Sequence, residues 1–240
     1  MRPDAVRLAL DAELAAARAR RGDAAPRVLD VGGGSGVLAV PLAAAGCVVT
    51  VVEPNPNALA TLHRRATDAG VADRITPLQA DSDALDQVVA PGSADLVVAH
   101  GVLEVVDDPK NTVAAMTGAL AAGGAVSVVV ANRTATLLHF AIAGRLAEAQ
   151  ALAEDPAGRL PDEPLLRRFD TDGLTRLLTD AGLVVERLQG QGVFTDLVPG
   201  AVLRDPGAEQ SLAELERRLA GTAPLRDIAT RLHAMARRKP

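Results

Sequence analysis

Apolar and polar positions along this chain of 240 residues follow two alternating rhythms. Residues 4–21 set Leu8, Leu10, Leu14 and alanines among charges at helical spacing, predicting a helix. "RVLDV" (27–31) is a short apolar strand, and "GVLAVPLAAAG" (36–46) reads as a helix closing at Gly46. "VVTVVE" (48–53) is β-branched and expected to be buried on both faces, as parallel strands are. "NPNALATLHRRATDAG" (55–70) opens on an asparagine cap with Pro56 at the first helical position and ends on Gly70. The alternation continues with a strand over 74–80, a short helix over 82–90 and a strand over 94–100. A helix within about 109–121, the turn "AAGG" and the strand "AVSVVVA" (125–131) follow. Strand and helix repeating in this way predict an α/β fold, a parallel sheet covered on both faces.

After Ala131 the rhythm changes. Residues 133–154 read as one long helical segment with no strand behind it, followed by the loop "EDPAGRLPDEP". Helix resumes near 171–182, "LVVERLQG" is a strand, and 208–220 is a helix. The stretch "TRLHAMARR" (230–238) is ambiguous by propensity alone. There are no internal repeats.

Composition sharpens this picture. Hydrophobic residues make up 48% of the chain but aromatic ones only 1%, so the core must be built from Ala, Val and Leu. Cys47 is the one cysteine, expected to be a small buried hydrophobe, and fits a reducing, cytoplasmic setting. Met1-Arg2-Pro3-Asp4 leads into a charged amphipathic segment, so no secretory leader is expected. No apolar run approaches the roughly 20 residues that span a bilayer, so no membrane partner is expected. A formal charge of −5 argues against a broadly basic nucleic-acid surface. The local arginine clusters (Arg18, Arg20, Arg21; Arg167, Arg168; Arg237, Arg238, Lys239) read as solvated helix faces or chain ends. Nothing in the pattern specifies an oligomeric state.

The chemistry concentrates in "VLDVGGGSGVLAV" (28–40), an apolar run that breaks into glycines. A strand that enters glycines before a helix presents bare backbone N–H groups at the carboxyl end of a parallel sheet, where no Cβ obstructs a nucleotide-like ligand. Glu53 ends the next strand about 20 residues on, where an acid takes the hydroxyls of an adenosine ribose. A dinucleotide fingerprint starting at Gly32 would need glycine where Val37 stands. The pattern is instead acid-x-Gly-x-Gly-x-Gly, made by Asp30, Gly32, Gly34 and Gly36. A carboxylate two residues before the glycines suits a ligand carrying an ammonium group, as S-adenosylmethionine does.

"VLDVGGGSG", "VVEPN" and "ADLVVAHGVLEVVDDP" resemble successive motifs of the class I S-adenosylmethionine-dependent methyltransferases. Further along, "NRTATLLHFAIAGRL", "GQGVFTDLV" and "LHAMARRKP" are similar to the bacterial tRNA 5-carboxymethoxyuridine methyltransferases, which methylate the carboxylate of a modified wobble uridine. The resemblance implies a Rossmann-like, doubly wound, mostly parallel seven-stranded sheet. "TRLHAMARR" would then be its antiparallel C-terminal strand, beside "LVVERLQG". One methyltransferase domain would cover 1–240, with 132–168 a helical insertion and lid over the acceptor. It also implies cofactor-binding roles for Arg7 near the cofactor's carboxylate, Gly32 and Gly33 in the loop, and Glu53 on the ribose. Asp81 and Ser82 would hold the adenine and His100 would stand beside the cofactor. Arg231 matches an arginine of the terminal motif and is expected to hold the acceptor. His139, His233 and Phe194 match the family but read as packing residues. No metal site is expected.

Methyl transfer from a sulfonium is an in-line displacement, so alignment and exclusion of water are the protein's main tasks. A carboxylate acceptor is ionised at pH 7 and needs no base, whereas a phenol or amine does. The chain has no Tyr and 4 His, which fits a carboxylate. An anionic acceptor needs cations, and Arg133, Arg145, Arg226 and Arg231 lie in the segments expected to roof the site. Two other readings stay open: a small acidic molecule as acceptor, and a cofactor-binding interaction protein without catalysis.

Overall fold

The carboxylate of Asp4 accepts the Arg7 N–H at 2.8 Å, and this cap starts α1 (Ala5–Arg20). The computed structural model describes residues 4–160 and 163–238. Met1–Pro3 of the opening segment, Pro161 and Asp162 of the expected lid loop and Lys239 of the terminal cluster lie outside them. In chain order the elements after α1 are β1 (Arg27–Val31), α2 (Ala39–Ala44), β2 (Val48–Val52), α3 (Pro56–Asp68), β3 (Ile75–Leu78) and α4 (Leu85–Val88). Then come β4 (Ala94–His100), α5 (Pro109–Ala119), β5 (Leu120–Ala131), α6 (Arg133–Ile142) and α7 (Leu146–Glu154). The chain continues with α8 (Thr171–Asp180), β6 (Leu183–Gln191), α9 (Ala208–Leu219) and β7 (Arg231–Arg238).

The strands form one seven-stranded sheet in the order β3-β2-β1-β4-β5-β7-β6. Strands β1 to β5 pair in parallel, and β7 runs antiparallel to both β5 and β6. The segment "TRLHAMARR" is therefore a strand: pairing on both flanks overrides the helical preference of its Ala and Met. Strand order reverses between β1 and β4, which opens a crevice at the carboxyl ends of these strands.

Alternation along the strands splits the core in two. Val28, Val49, Leu96, Val98 and Val129 face α1, α2 and α3, where Leu10, Leu42 and Leu62 are buried. Leu29, Val97, Val126, Val128 and Val130 face the layer of α4, α5 and α8, where Leu85, Met116 and Leu174 are buried. Val48, at the mouth of β2, is 44% exposed, so that strand is not covered on both faces along its whole length.

Two expected boundaries move. The segment 133–154 is not one helix: Gly144 takes a left-handed φ of +73°, the Arg145 N–H returns to the Phe140 carbonyl at 2.8 Å, and α6 ends before α7 begins. The "AAGG" turn lies within β5, because Leu120 already pairs with Ala94, and a register shift between Ala94 and Leu96 absorbs the irregularity. Among the described residues no helix is long and apolar enough to cross a membrane.

Candidate active site

The glycine loop after β1 is fixed from both sides. The Gly32 N–H donates to the Val52 carbonyl at 2.8 Å, continuing the β1–β2 ladder one residue past the strand. The Gly34 N–H donates to Glu53 Oε2 at 3.0 Å, while Glu53 Oε1 accepts the Asn55 N–H at 2.9 Å. Gly32, Gly34 and Gly36 all take left-handed φ values. A Cβ on Gly32 would stand 2.7 Å from Val102 Cγ2, and one on Gly33 would stand 2.6 Å from Asp30 Oδ2.

Two hollows meet at this loop. One, of about 410 Å³, is lined by Arg7, Asp30, Gly32, Gly33, His100 and Gln191 among others. The other, of about 360 Å³, is lined by Gly32, Glu53, Asp81, Ser82 and Asp107 among others. The fold thus gathers the sequence-predicted cofactor residues around Gly32, with Arg7, Asp30 and His100 on one side and Glu53, Asp81 and Ser82 on the other. Gly34 contributes its N–H to Glu53, and Gly36 acts by packing, since a Cβ there would meet Leu62 Cδ1 at 2.2 Å.

Asp30 is buried and its Oδ2 has no hydrogen-bond partner among the described residues. Burial, reinforced by the charge of Glu53, pushes its carboxyl up to about 7. A buried carboxyl with one oxygen unpartnered among the described residues, in a hollow also lined by Arg7, whose Nε donates to Asp11 Oδ1 at 2.8 Å, suits a zwitterionic ligand with ammonium and carboxylate ends. The residues present therefore fit the amino-acid portion of S-adenosylmethionine, and Glu53 fits its ribose.

Arg231, the first residue of β7, lines a third hollow of about 530 Å³, which shares Asp4 and Gln191 with the hollow of Asp30. The other charged side chains around it are engaged. Glu216 accepts the N–H groups of Val193, Phe194 and Thr195, Asp196 accepts the Thr230 hydroxyl at 2.6 Å, Asp4 accepts from Gln191, and Arg217 pairs with Glu214. The Arg231 guanidinium makes no hydrogen bond or ion pair with a described residue. The other expected acceptor cations are occupied: Arg133 donates to the Leu152 and Ala153 carbonyls, Arg145 pairs with Glu148 and stacks over Phe140, and Arg226 pairs with Asp227.

The arginine clusters are also largely consumed internally, and are not the solvated faces their sequence suggests. Arg20 and Arg237 grip the buried Glu13, Arg21 joins Arg27 on Asp95, Arg167 donates to the Leu103, Val106 and Asp107 carbonyls, and Arg168 pairs with Glu163.

Sequence reasoning missed Glu104, in the turn after β4. It is buried, its Oε1 accepts the Ala131 N–H at 3.2 Å, its Oε2 is unpartnered among the described residues, and burial raises its pKa. Its only signal is an acid inside "GVLEVV", between apolar neighbours. Also missed was a buried polar row formed by His100, Ser127, His233 and Gln189. Burial drops the two imidazoles to about 4 for His100 and about 3 for His233, so both are neutral at pH 7.

A family model described as a methyltransferase domain matches residues 5–188. The chain belongs to the S-adenosylmethionine-dependent methyltransferases. The methyltransferase is 28% identical over 219 residues to the tRNA 5-carboxymethoxyuridine methyltransferase of Escherichia coli (strain K12), spanning 88% of this chain and 80% of the relative. It is 32% identical over 176 residues to the ubiquinone biosynthesis O-methyltransferase of Methylobacterium sp. (strain 4-46), spanning 68% of this chain and 65% of that one. Its fold matches that of a SAM-dependent methyltransferase from Methanosarcina mazei with a TM-score of 0.63 at 17% identity, covering 89% of this chain and 92% of that one.

Proposed function

We propose that this methyltransferase esterifies a carboxylate, that of a carboxymethoxyuridine in tRNA. The observation that carries this reading is Arg231: a cation with no hydrogen-bond or ion-pair partner among the described residues, in a hollow whose acids already accept hydrogen bonds, adjoining the hollow of Asp30 and Arg7. A planar guanidinium suits a carboxylate through paired hydrogen bonds. The relative with tRNA in its name aligns over more of this chain than the ubiquinone-biosynthesis relative does.

Bound S-adenosylmethionine supplies a methyl carbon already activated by its sulfonium. The chain's own residues orient and desolvate. Asp30 receives the ammonium end and Arg7 the carboxylate end, with His100 beside it; Gly32 and Gly33 leave room for the ligand. Glu53 takes the ribose hydroxyls, and Asp81 and Ser82 flank the adenine. Arg231 holds the acceptor carboxylate, which is ionised at neutral pH and needs no base. We assign 132–168 as the cover of the acceptor side. In support, a hollow lined by α6 residues Ala135, Thr136 and His139 shares Gly192, Asp196 and Thr230 with that of Arg231.

A small acidic acceptor is the second reading, favoured by the internal pairing of the arginines that could otherwise track a phosphate backbone. The test is to incubate the protein with methyl-labelled cofactor and, separately, tRNA and a small-metabolite extract. Label in tRNA that mild alkali releases is the expected result. Alkali-labile label in the small-molecule fraction alone supports the second reading, and an alkali-stable product overturns the ester in both.

A further inference from the structure

Four neutral polar side chains lie side by side beneath α1, on the face of the sheet otherwise filled by Leu96, Val98 and Val129. His100 on β4, Val129 on β5, His233 on β7 and Gln189 on β6 stand opposite one another in register, so their side chains share one face. Ser127 lies two residues before Val129, on the same face. Gln189 Nε2 stands 2.9 Å from His233 Nδ1, His233 Nε2 stands 3.0 Å from Ser127 Oγ, and Ser127 Oγ stands 2.9 Å from His100 Nε2. Ser127 and His233 are fully buried and Gln189 is 4% exposed, so each bond replaces hydration that folding removes.

Such a row can run in only one direction at a time, because each neutral imidazole carries one N–H and one lone pair. The amide sets the direction. Its Nε2 can only donate, so His233 Nδ1 must accept and its proton sits on Nε2. That N–H then donates to Ser127 Oγ, which turns its own O–H toward His100 Nε2. His100 is left with its proton on Nδ1, the nitrogen without a hydrogen-bond partner among the described residues, and His100 lines the hollow of Asp30 and Arg7.

We infer that Gln189, His233 and Ser127 act as positioning residues that lock His100 into the Nδ1–H form, an N–H donor for a carboxylate oxygen of the ligand. A histidine held this way has no lone pair to offer there, so it binds an oxygen anion and does not take a proton. The direction of the row stands independently of any ligand; only the carboxylate rests on the cofactor site proposed above.

The test is nitrogen-15 NMR of the full chain labelled at histidine, whose ring correlations separate the two tautomers. In the unsubstituted protein His100 should carry its proton on Nδ1 and His233 on Nε2. Ser127→Ala should release His100 to a mixture of tautomers and leave His233 unchanged, whereas Gln189→Met, three strands away, should alter both. Adding S-adenosylhomocysteine should shift the His100 Nδ1–H signal, and Gln189→Met should weaken its binding about fivefold, the scale of one neutral hydrogen bond. His100 protonated on Nε2 in the unsubstituted protein overturns the inference, and this measurement needs no variant to fold. A His100 tautomer that ignores both substitutions overturns the coupling. If S-adenosylhomocysteine binds without moving His100, the carboxylate contact is refuted; if it does not bind at all, the cofactor-site reading fails and the tautomer result still decides the row.

Discussion

The Gly34 N–H and the Glu53 carboxylate meet at 3.0 Å, joining the loop after β1 to the residue that follows β2. One oxygen of Glu53 thus braces the loop while the other accepts from Asn55. Glu53→Ala should remove both the brace and the ribose contacts. Calorimetric titration with S-adenosylhomocysteine should show affinity falling about ten- to a hundredfold, equivalent to about 1.5–3 kcal/mol. Unchanged affinity would contradict the ribose assignment.

The loop glycines should respond unequally to alanine. At Gly36 the added Cβ meets buried Leu62 at 2.2 Å on a backbone with φ of +78°, a cost on the order of 2–4 kcal/mol. At Gly34 the space is open and only the left-handed backbone is penalised, by about 1 kcal/mol. Thermal unfolding should place Gly36→Ala roughly 5–10 °C below the parent and Gly34→Ala within about 4 °C of it.

For Arg231, turnover and cofactor binding should separate. Arg231→Ala should lower kcat/KM for the acceptor by about ten- to a hundredfold, the scale of hydrogen bonds to a charged group, with S-adenosylhomocysteine affinity unchanged. Arg231→Lys should recover part of the loss, since a point charge lacks the paired donors. Equal losses in acceptor turnover and cofactor affinity would relocate Arg231 to the cofactor side.

The buried acid and the buried imidazoles pull stability in opposite directions with pH. Asp30 holds its proton up to about 7 in the folded state but loses it near 3.8 when unfolded, so its contribution falls as pH rises from about 4 to 7. His100 and His233 resist protonation down to about 4 and 3, against 6.5 unfolded, so theirs is complete above 6.5 and is lost as pH falls through that interval. Asp30→Asn should therefore raise the melting temperature of the ligand-free protein at pH 8, keep its acid-side decline, and weaken cofactor binding. A lower melting temperature at pH 8 would show that the Asp30 carboxylate is stabilised rather than penalised.

Much of this was legible along the chain because β-branched runs, the Asn55 cap and the glycine after β1 act locally. The placement of "TRLHAMARR" came from resemblance, since its strand form depends on two neighbours distant in sequence. The break at Gly144 was hidden because alanines and leucines on both sides keep helical spacing across it. Ser127, Gln189 and His233 were unreadable as a group: Ser127 sits in an otherwise apolar strand, Gln189 and His233 sit in strands that also carry charged residues, and only the sheet sets the three abreast. Glu104 was passed over for the same reason, its isolation becoming visible only once β4 and β5 close around it.

The position of β7 also bears on how the protein is made. This strand is hydrogen-bonded on both sides, yet it follows every other strand in the chain. Until residues 231–238 leave the ribosome, β5 and β6 each present an open edge, and the nascent chain carries a gap in the middle of its sheet. Closing that gap requires contacts spanning over a hundred residues, from Ser127 to His233, so the pairing of β7 is strongly non-local. Synthesis thus delivers Arg231 and His233 together, after every other described strand, and the sheet face that carries them cannot assemble ahead of β7.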